Sequence, residues 1–314
     1  MADTVTLLDP RKIKRNTDNP RLIFRKSDLD ALQKSISDQG ILVPLTVFKE
    51  GSGFRLLDGE RRWRCATKLG MSHVPVILQP KPARLQNIMM MFAIHHARTD
   101  WDPLPTALKL QDLEKEFTKR NGRRPTETEL AGLSSMTRGE VRRLKKLLAL
   151  PEDYRKELLD ELNKPKSEQL LTVDHVLEAT AAASLLRKRD VVDAHTEDRL
   201  RRAIVHKFRT GVIKNTVAPR KLAKLARAVQ RKEVPLATAK KVIAELIESP
   251  NYDIDEAFRD SVEKIDFEHT LEQQVKRLIS GLEEHSRRRY KPSESLVETL
   301  RQLVTTVNTV VARP

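Results

Sequence analysis

The run Leu56-Leu57-Asp58-Gly59-Glu60-Arg61-Arg62-Trp63-Arg64-Cys65-Ala66-Thr67-Lys68-Leu69-Gly70 constrains this chain more than any other stretch. Phe54 to Leu57 reads as a short apolar strand and Asp58-Gly59 as a tight turn, with Trp63, Ala66 and Leu69 forming one face of a helix that Gly70 closes. A strand that feeds a helix through glycine leaves backbone N–H groups at the helix start, a place that favours an anion. Two arginines directly after the turn are repelled by the positive helix end unless a negative partner is present. That partner is either Glu60 or a bound phosphate. The planar forks of Arg61 and Arg62 suit a surface ion-pair cluster and phosphate oxygens alike.

The surroundings of this element form a small α+β unit. Leu7-Leu8-Asp9-Pro10, Ile13 and Asn19-Pro20-Arg21 make a broken, proline-marked entry rather than a helix. Ser27 is expected to cap a helix with Leu29, Leu32 and Ile36 on one face, ended by Gly40. Ile41 to Phe48 is an apolar run whose Pro44 places it at a sheet edge or marks the start of a strand. Gly51-Ser52-Gly53 turns the chain into the next strand, Val74 to Leu78 is a further strand, and Leu85 to Ile94 a helix.

The chain has 314 residues, enough for two or three domains, and a formal charge of +15 that calls for a polyanionic partner. No long apolar run is present, so nucleic acid fits that charge better than a membrane. Aromatic residues are only 4% of the chain, which disfavours stacking platforms for single strands and points to a helix-rich fold. One cysteine excludes a disulfide framework, and the start Met1-Ala2-Asp3-Thr4 has no signal-peptide core; a cytoplasmic chain is expected. Cys65 reads as a buried helical residue, and the adjacent His95 and His96 lack the i, i+4 spacing of a helical metal site, so no metal site is expected.

Residues 126–148 have the spacing of a helix-turn-helix. Thr126-Glu127-Thr128-Glu129 supplies a cap and an acidic first turn, Leu130, Ala131 and Leu133 pack inward, and Ser134-Ser135-Met136 is the break. The second helix carries Arg138, Arg142 and Lys145 on one face and Val141, Leu144 and Leu148 on another. A basic face opposite a packed face suits the major groove, with Thr137, Arg138 and Arg142 as base-edge or phosphate contacts. Ser135 stands where such turns often have glycine.

The ordered set Asn19-Pro20-Arg21, Ser35-Ile36, Gly40, Pro44-Leu45, Asp58-Gly59-Glu60-Arg61-Arg62, Leu69-Gly70 and Val74-Pro75-Val76 resembles the N-terminal domain of ParB-type partition proteins, a fold shared with sulfiredoxins and some ParB-like nucleases and kinases. The resemblance extends through Leu147-Leu148-Ala149-Leu150-Pro151 to His175, about the first 180 residues. It implies a cytidine triphosphate site in which Gly59, Glu60, Arg61 and Arg62 hold the triphosphate and Gly40, Val43 and Pro44 lie beside the base. It implies Arg98 as a further phosphate ligand and His175 as a DNA-side residue. In the third nucleotide motif Ile94 and His95 replace the acidic and amide residues that hold Mg2+ in the family. An isoleucine offers no oxygen to a hard cation, so nucleotide binding with altered metal dependence or CTPase turnover is expected.

The expected organisation is an α+β ParB/sulfiredoxin-like domain over 1–98, an all-α helix-turn-helix domain over 99–235 and a helical C-terminal dimerisation domain over 236–314. The basic stretch Leu185 to Lys232 reads equally as phosphate-touching helices and as a solvated face. The last helix, Ser293 to Ala312, carries Leu296, Leu300, Leu303, Val304, Val307 and Val311 on one face, which needs cover from its own domain or a second copy. The resemblance implies a homodimer that closes as a CTP-dependent clamp on double-stranded DNA at a specific site. It also implies a ParA-type ATPase partner in chromosome or plasmid segregation, and a place on the nucleoid or plasmid. A ParB-like transcription regulator without nucleotide switching, or a ParB-like nuclease, are the alternatives.

Overall fold

The computed structural model describes residues 4–96 and 102–312. The amino-terminal unit runs β1 (Val5–Leu8), β2 (Ile13–Lys14), α1 (Lys26–Gln39), β3 (Leu45–Glu50), β4 (Gly53–Asp58), α2 (Glu60–Lys68), β5 (Val74–Gln79) and α3 (Arg84–His96). The five strands form one mixed sheet in the order β1-β5-β3-β4-β2. β3 lies at its centre, parallel to β5 with Leu45 opposite Val76, and antiparallel to β4 with a register shift between Thr46 and Val47.

Side chains alternate across a pleated strand, so consecutive apolar residues require cover on both faces. Leu56 and Leu57 meet that condition. Leu56 packs with Leu45, Val47, Val74, Val76 and Ala66 of α2, whereas Leu57 joins Phe48 and Met91 of α3 on the opposite face. The turn that follows β4 is therefore anchored from two sides.

Two expectations need correction here, and the choice left open at Pro44 is decided for the start of a strand. The proline-marked entry contains two strands, β1 antiparallel to β5 and β2 parallel to β4. Val5 and Leu7 of β1 are exposed and β2 has two residues, so neither carries an alternating pattern of its own; their pairing partners define them. Pro44 does not mark an edge strand. It stands immediately before the central strand, where its missing N–H removes no ladder bond. α1 begins at Lys26 with Arg25 in the cap position and no side-chain cap bond, so Ser27 lies inside the helix.

The rest of the described chain is helical: α4 (Pro103–Asn121), α5 (Glu127–Ser134), α6 (Arg138–Leu148), α7 (Glu152–Leu162), α8 (Val173–Lys188), α9 (Ala194–Arg209), α10 (Leu222–Gln230), α11 (Leu236–Glu248), α12 (Ile254–Arg259), α13 (Glu263–Arg287) and α14 (Glu294–Val311). One buried core runs from Leu85, Ile88 and Phe92 of α3 to Val262. α3 thus faces the sheet with Met91 and the helices with Phe92. The expected boundary at 235/236 falls inside this core, because Ala239, Ile243, Leu246 and Ile254 share it with Leu222 and Leu225. Lys207 of α9 is buried there at 2% exposure, its Nζ donating to the Ser249 and Pro250 carbonyls at 2.5 and 3.0 Å beyond the end of α11.

α13 and α14 bury no residue. Phe267, Leu271, Val275, Leu278 and Ile279 of α13 and Val304, Val307 and Val311 of α14 are exposed, so the apolar stripe expected on the last helix has a counterpart on the helix before it. Among the described residues no helix is long and apolar enough to cross a membrane.

Candidate functional site

The turn between β4 and α2 is fixed by backbone geometry. Gly59 has φ 95° and ψ 23°, the left-handed region, and its carbonyl accepts the first helical bond from the Trp63 N–H at 2.9 Å. A Cβ at this position would lie 2.5 Å from Cδ2 of Leu45, a fully buried residue, and 3.1 Å from Nη2 of Arg62. Glycine is required here by both conformation and space.

Arg62 ties this turn to the loop between α1 and β3. Its Nη1 donates to the carbonyls of Val43 and, at 3.0 Å, of Pro44, and its Nη2 donates to Asp58 Oδ2 at 2.9 Å. The loop begins at Gly40, which ends α1 with φ 71° and donates its N–H to the Ile36 carbonyl at 2.9 Å. Val43, Pro44, Gly59 and Arg62, well separated in sequence, are thereby brought together, whereas Gly40 sits at the far end of the loop.

Glu60, the first residue of α2, is 8% exposed. Its Oε2 accepts from Asn19 Nδ2 at 2.8 Å and its Oε1 from Arg64 Nε and Nη2 at 3.0 and 2.6 Å. The Arg64 guanidinium also lies 4.1 Å from the Phe24 ring centroid. Glu60 thus holds the segment around Asn19 against the helix start, where a carboxylate opposes the positive dipole end. Glu60, Asn19 and Phe24, with Asn16, Arg21, Arg61, Arg62 and Met91, line a cleft of about 270 Å³. Its size is near the lower end for ligand clefts, about 300 Å³.

Part of the site was not foreseen. Asn16 and Asn87 are buried and exchange amide bonds at 2.9 and 3.3 Å, and Asn87 Nδ2 also donates to Asp18 Oδ2 at 2.8 Å. Buried amides of this kind are retained only when hydrogen-bonded; Asn16 lines the cleft and Asn87 fixes it from behind. The signal available was Asn87 itself, a polar residue between the core positions Leu85 and Ile88. Cys65 is 1% exposed, its Sγ donates to the Leu29 carbonyl at 3.5 Å, and burial pushes its thiol pKa up, as a helical core residue requires. Ile94 packs against the Phe48, Leu57 and Met91 cluster. Arg98 lies outside the described residues, as do the side chains of His95 and His96. Among the described residues no group of three metal-ligating side chains is present.

The helix-turn-helix forms as spaced. α5 and α6 each open with a reciprocal capping box, Thr126 with Glu129 and Thr137 with Glu140. Ala131 is buried at the turn and Val141, Leu144 and Leu147 are buried behind α6. Thr137 is spent on the cap, with Oγ1 accepting from the Glu140 N–H at 3.2 Å and donating to Glu140 Oε2 at 2.8 Å. Arg138 and Arg142 are exposed; Arg142 donates through Nε to Glu127 at 2.7 Å, which holds the Glu127 pKa below the usual range, and Lys145 lies 3.6 Å from Glu114. His175 is placed differently: its Nδ1 accepts from the Thr172 N–H at 3.3 Å and its ring stacks on Phe208 at 4.3 Å, burial pushing its pKa down.

Ser135 has φ 55°, a left-handed backbone in the inter-helix turn. A Cβ there costs about 1–2 kcal/mol, partly offset by the greater chain entropy of glycine, about 0.5–1 kcal/mol. Ser135→Gly is therefore expected to raise the denaturant midpoint, with a net stabilisation of up to about 1.5 kcal/mol. A lowered midpoint would show that the Ser135 side chain contributes more than its backbone costs.

Residues 1–93 match the family model described as ParB N-terminal domain. The chromosome-partitioning protein ParB of Myxococcus xanthus is 32% identical over 151 residues, covering 48% of this chain and 49% of the relative. That of Caulobacter vibrioides is 29% identical over 153 residues, 47% of each. The chain spans about half the length of the curated relatives it matches. A solved structure of C-terminally truncated ParB from Caulobacter crescentus, complexed to the centromeric parS site, is 24% identical, covers 71% of this chain and 98% of that one, and has a TM-score of 0.44. The matched residues hold all five strands and the Gly59-Glu60-Arg61-Arg62 turn. Residues 1–93 are a ParB N-terminal domain.

Proposed function

We propose that this chain is a DNA-binding partition protein that takes cytidine triphosphate in the cleft over α2 and acts on DNA as a dimeric clamp. The observation that carries the reading is the glycine-locked turn that brings Arg61 and Arg62 into one cleft, within the residues matched to the ParB N-terminal domain. Chromosome-partitioning relatives support the class of function. Arg61 and, from outside the described residues, Arg98 hold phosphates. Arg62 divides its five donors between shaping the Val43-Pro44 loop beside the base and the same phosphates. Glu60 positions rather than ligates, since both its oxygens already accept bonds. Among the described residues no group of three or more metal-ligating side chains is present, and no hydrolytic step is assigned.

α6 is the element we assign to the major groove, with Arg138, Arg142 and Lys145 facing DNA, Thr137 fixing the helix start and His175 bracing the flanking helix. The Arg142–Glu127 pair is solvent-facing and worth about 0–1 kcal/mol, a small loss against a phosphate, and the half-buried Lys145–Glu114 pair is long at 3.6 Å. The DNA-binding unit extends through α12, and α13 with α14 forms the homodimer contact. A ParA-type ATPase is the partner, and the chain works in the cytoplasm on a nucleoid or plasmid. Ile94, an apolar contact where the family places a polar group, favours as a second reading a regulator that kept the fold without nucleotide switching.

The DNA half is tested by selecting duplexes from a random pool and measuring the ratio of selected to scrambled affinity at about 150 mM salt. A ratio of about 10³ or more is expected. It should collapse in Arg138→Ala/Arg142→Ala, and equal affinity for both duplexes in the wild type would sink the reading.

A further inference from the structure

Most of the basic stretch between Leu185 and Lys232 neutralises itself in the folded chain. Arg187 pairs with Glu197 at 3.0 Å, Arg201 and Arg202 with Asp198 at 3.0 and 2.8 Å, Lys221 with Asp255 at 2.8 Å, and Arg220 with Glu178. Lys207, itself buried, is consumed by two main-chain carbonyls. These cations already have partners in the fold; exposed pairs of this kind contribute little to stability, so they rank the candidates for phosphate contact without excluding the paired ones.

Arg227 and Arg231 differ. They stand four residues apart at the end of α10, both are exposed, and among the described residues neither has a carboxylate within ion-pair distance. Arg227 donates only its Nε, to the Ala223 carbonyl of its own helix at 3.3 Å. Both line a cleft of about 250 Å³ closed on its other side by α13, which contributes the exposed amide of Gln273. The two carboxylates at this cleft already have partners: Asp266 is 2.6 Å from Lys224 Nζ, and Glu233 is 2.9 Å from His269 Nε2. What remains uncompensated is a pair of guanidinium forks, with Cβ atoms about 5–6 Å apart as for any i, i+4 pair. That spacing is on the scale of one step between neighbouring phosphates of a strand, and the guanidinium is the side chain whose geometry matches phosphate oxygens.

We propose that Arg227 and Arg231 form a second, sequence-independent contact to duplex DNA, holding two successive phosphates of one strand in the cleft between α10 and α13. The inference rests on the DNA-binding reading and adds to it a contact outside the helix-turn-helix. It gives the chain a grip on DNA that α6 does not supply and that carries no base information.

The test is fluorescence anisotropy of a labelled random-sequence duplex with the full chain, titrated across about 50 to 300 mM salt, a range over which phosphate contacts dominate the slope. Each phosphate contact contributes about 0.9 to the slope of log affinity against log salt, so Arg227→Gln/Arg231→Gln is expected to reduce it by about 1.8. Arg227→Lys/Arg231→Lys, which keeps both charges, is expected to hold the slope near that of the wild type. The ratio of selected to scrambled affinity should not fall in the glutamine pair. An unchanged slope in the glutamine pair, with wild-type binding intact, would overturn the cleft and leave the DNA reading standing. A wild-type chain that binds no duplex at low salt would overturn both.

Discussion

Gly59→Ala is expected to destabilise the amino-terminal domain by about 2–4 kcal/mol and to remove nucleotide binding with it. Two independent terms produce that figure. A Cβ in the left-handed region costs about 1–2 kcal/mol, and forcing a methyl into a packed site costs about 1–3 kcal/mol more. The second term applies because the new Cβ would lie 2.5 Å from Cδ2 of Leu45, which is 0% exposed at the centre of the sheet and has nowhere to move. The lower unfolded-state entropy of alanine returns about 0.4–1 kcal/mol, which keeps the net near the stated range. Gly40→Ala is the internal control. It shares the positive φ, at 71°, with ψ −170° in a region that is essentially glycine's, but a Cβ there meets nothing within 4 Å, so only a backbone term of about 1–3 kcal/mol applies. Denaturant unfolding followed by tryptophan fluorescence reads both, since Trp63 is packed against this unit with Nε1 donating to the Pro10 carbonyl at 3.0 Å. Equal losses in the two variants would show that the contact with Leu45 relaxes and that space at Gly59 is not limiting.

The same turn explains how much of the site could be read before the fold was known. The strand, the glycine and the helix start are signals carried within a few residues, and they appear where the pattern put them, as β4, Gly59 and α2. The helix-turn-helix is legible for the same reason: each capping box spans four residues, and the inward positions of α6 repeat at helical spacing. Ser135 even retains the positive φ that its place in the turn demands.

What the residues do to one another was not legible, because those partners are distant in the chain. Arg62 looks like a phosphate fork in sequence, yet it donates to two main-chain carbonyls 19 and 18 residues away. Glu60 meets Asn19 across 41 residues, and Asn16 meets Asn87 across 71. β1 and β2 are too short or too exposed to show a period and exist through their neighbours in the sheet. The expected division at residue 235 rests on a local signal of the same kind. Pro235 marks a turn, but the apolar faces on its two sides pack into one core. Net charge likewise gave no means of separating the self-paired basic residues of α8–α10 from Arg227 and Arg231; ion-pair geometry does.

The central claim is that the cleft over α2 binds cytidine triphosphate through Arg61, and equilibrium binding of labelled nucleotide to the full chain tests it most directly. The titration is run with and without Mg2+ and DNA, on the wild type and on Arg61→Ala, with the unfolding midpoint of the variant as a check on the fold. Loss of charge-assisted bonds to phosphate is worth about 1.5–3 kcal/mol, so the variant is expected to bind about 10- to 100-fold more weakly while keeping its midpoint. Saturable binding by the wild type with that loss is the predicted result. Equal affinity in the two proteins, or no binding by the wild type under any of these conditions, would contradict the account.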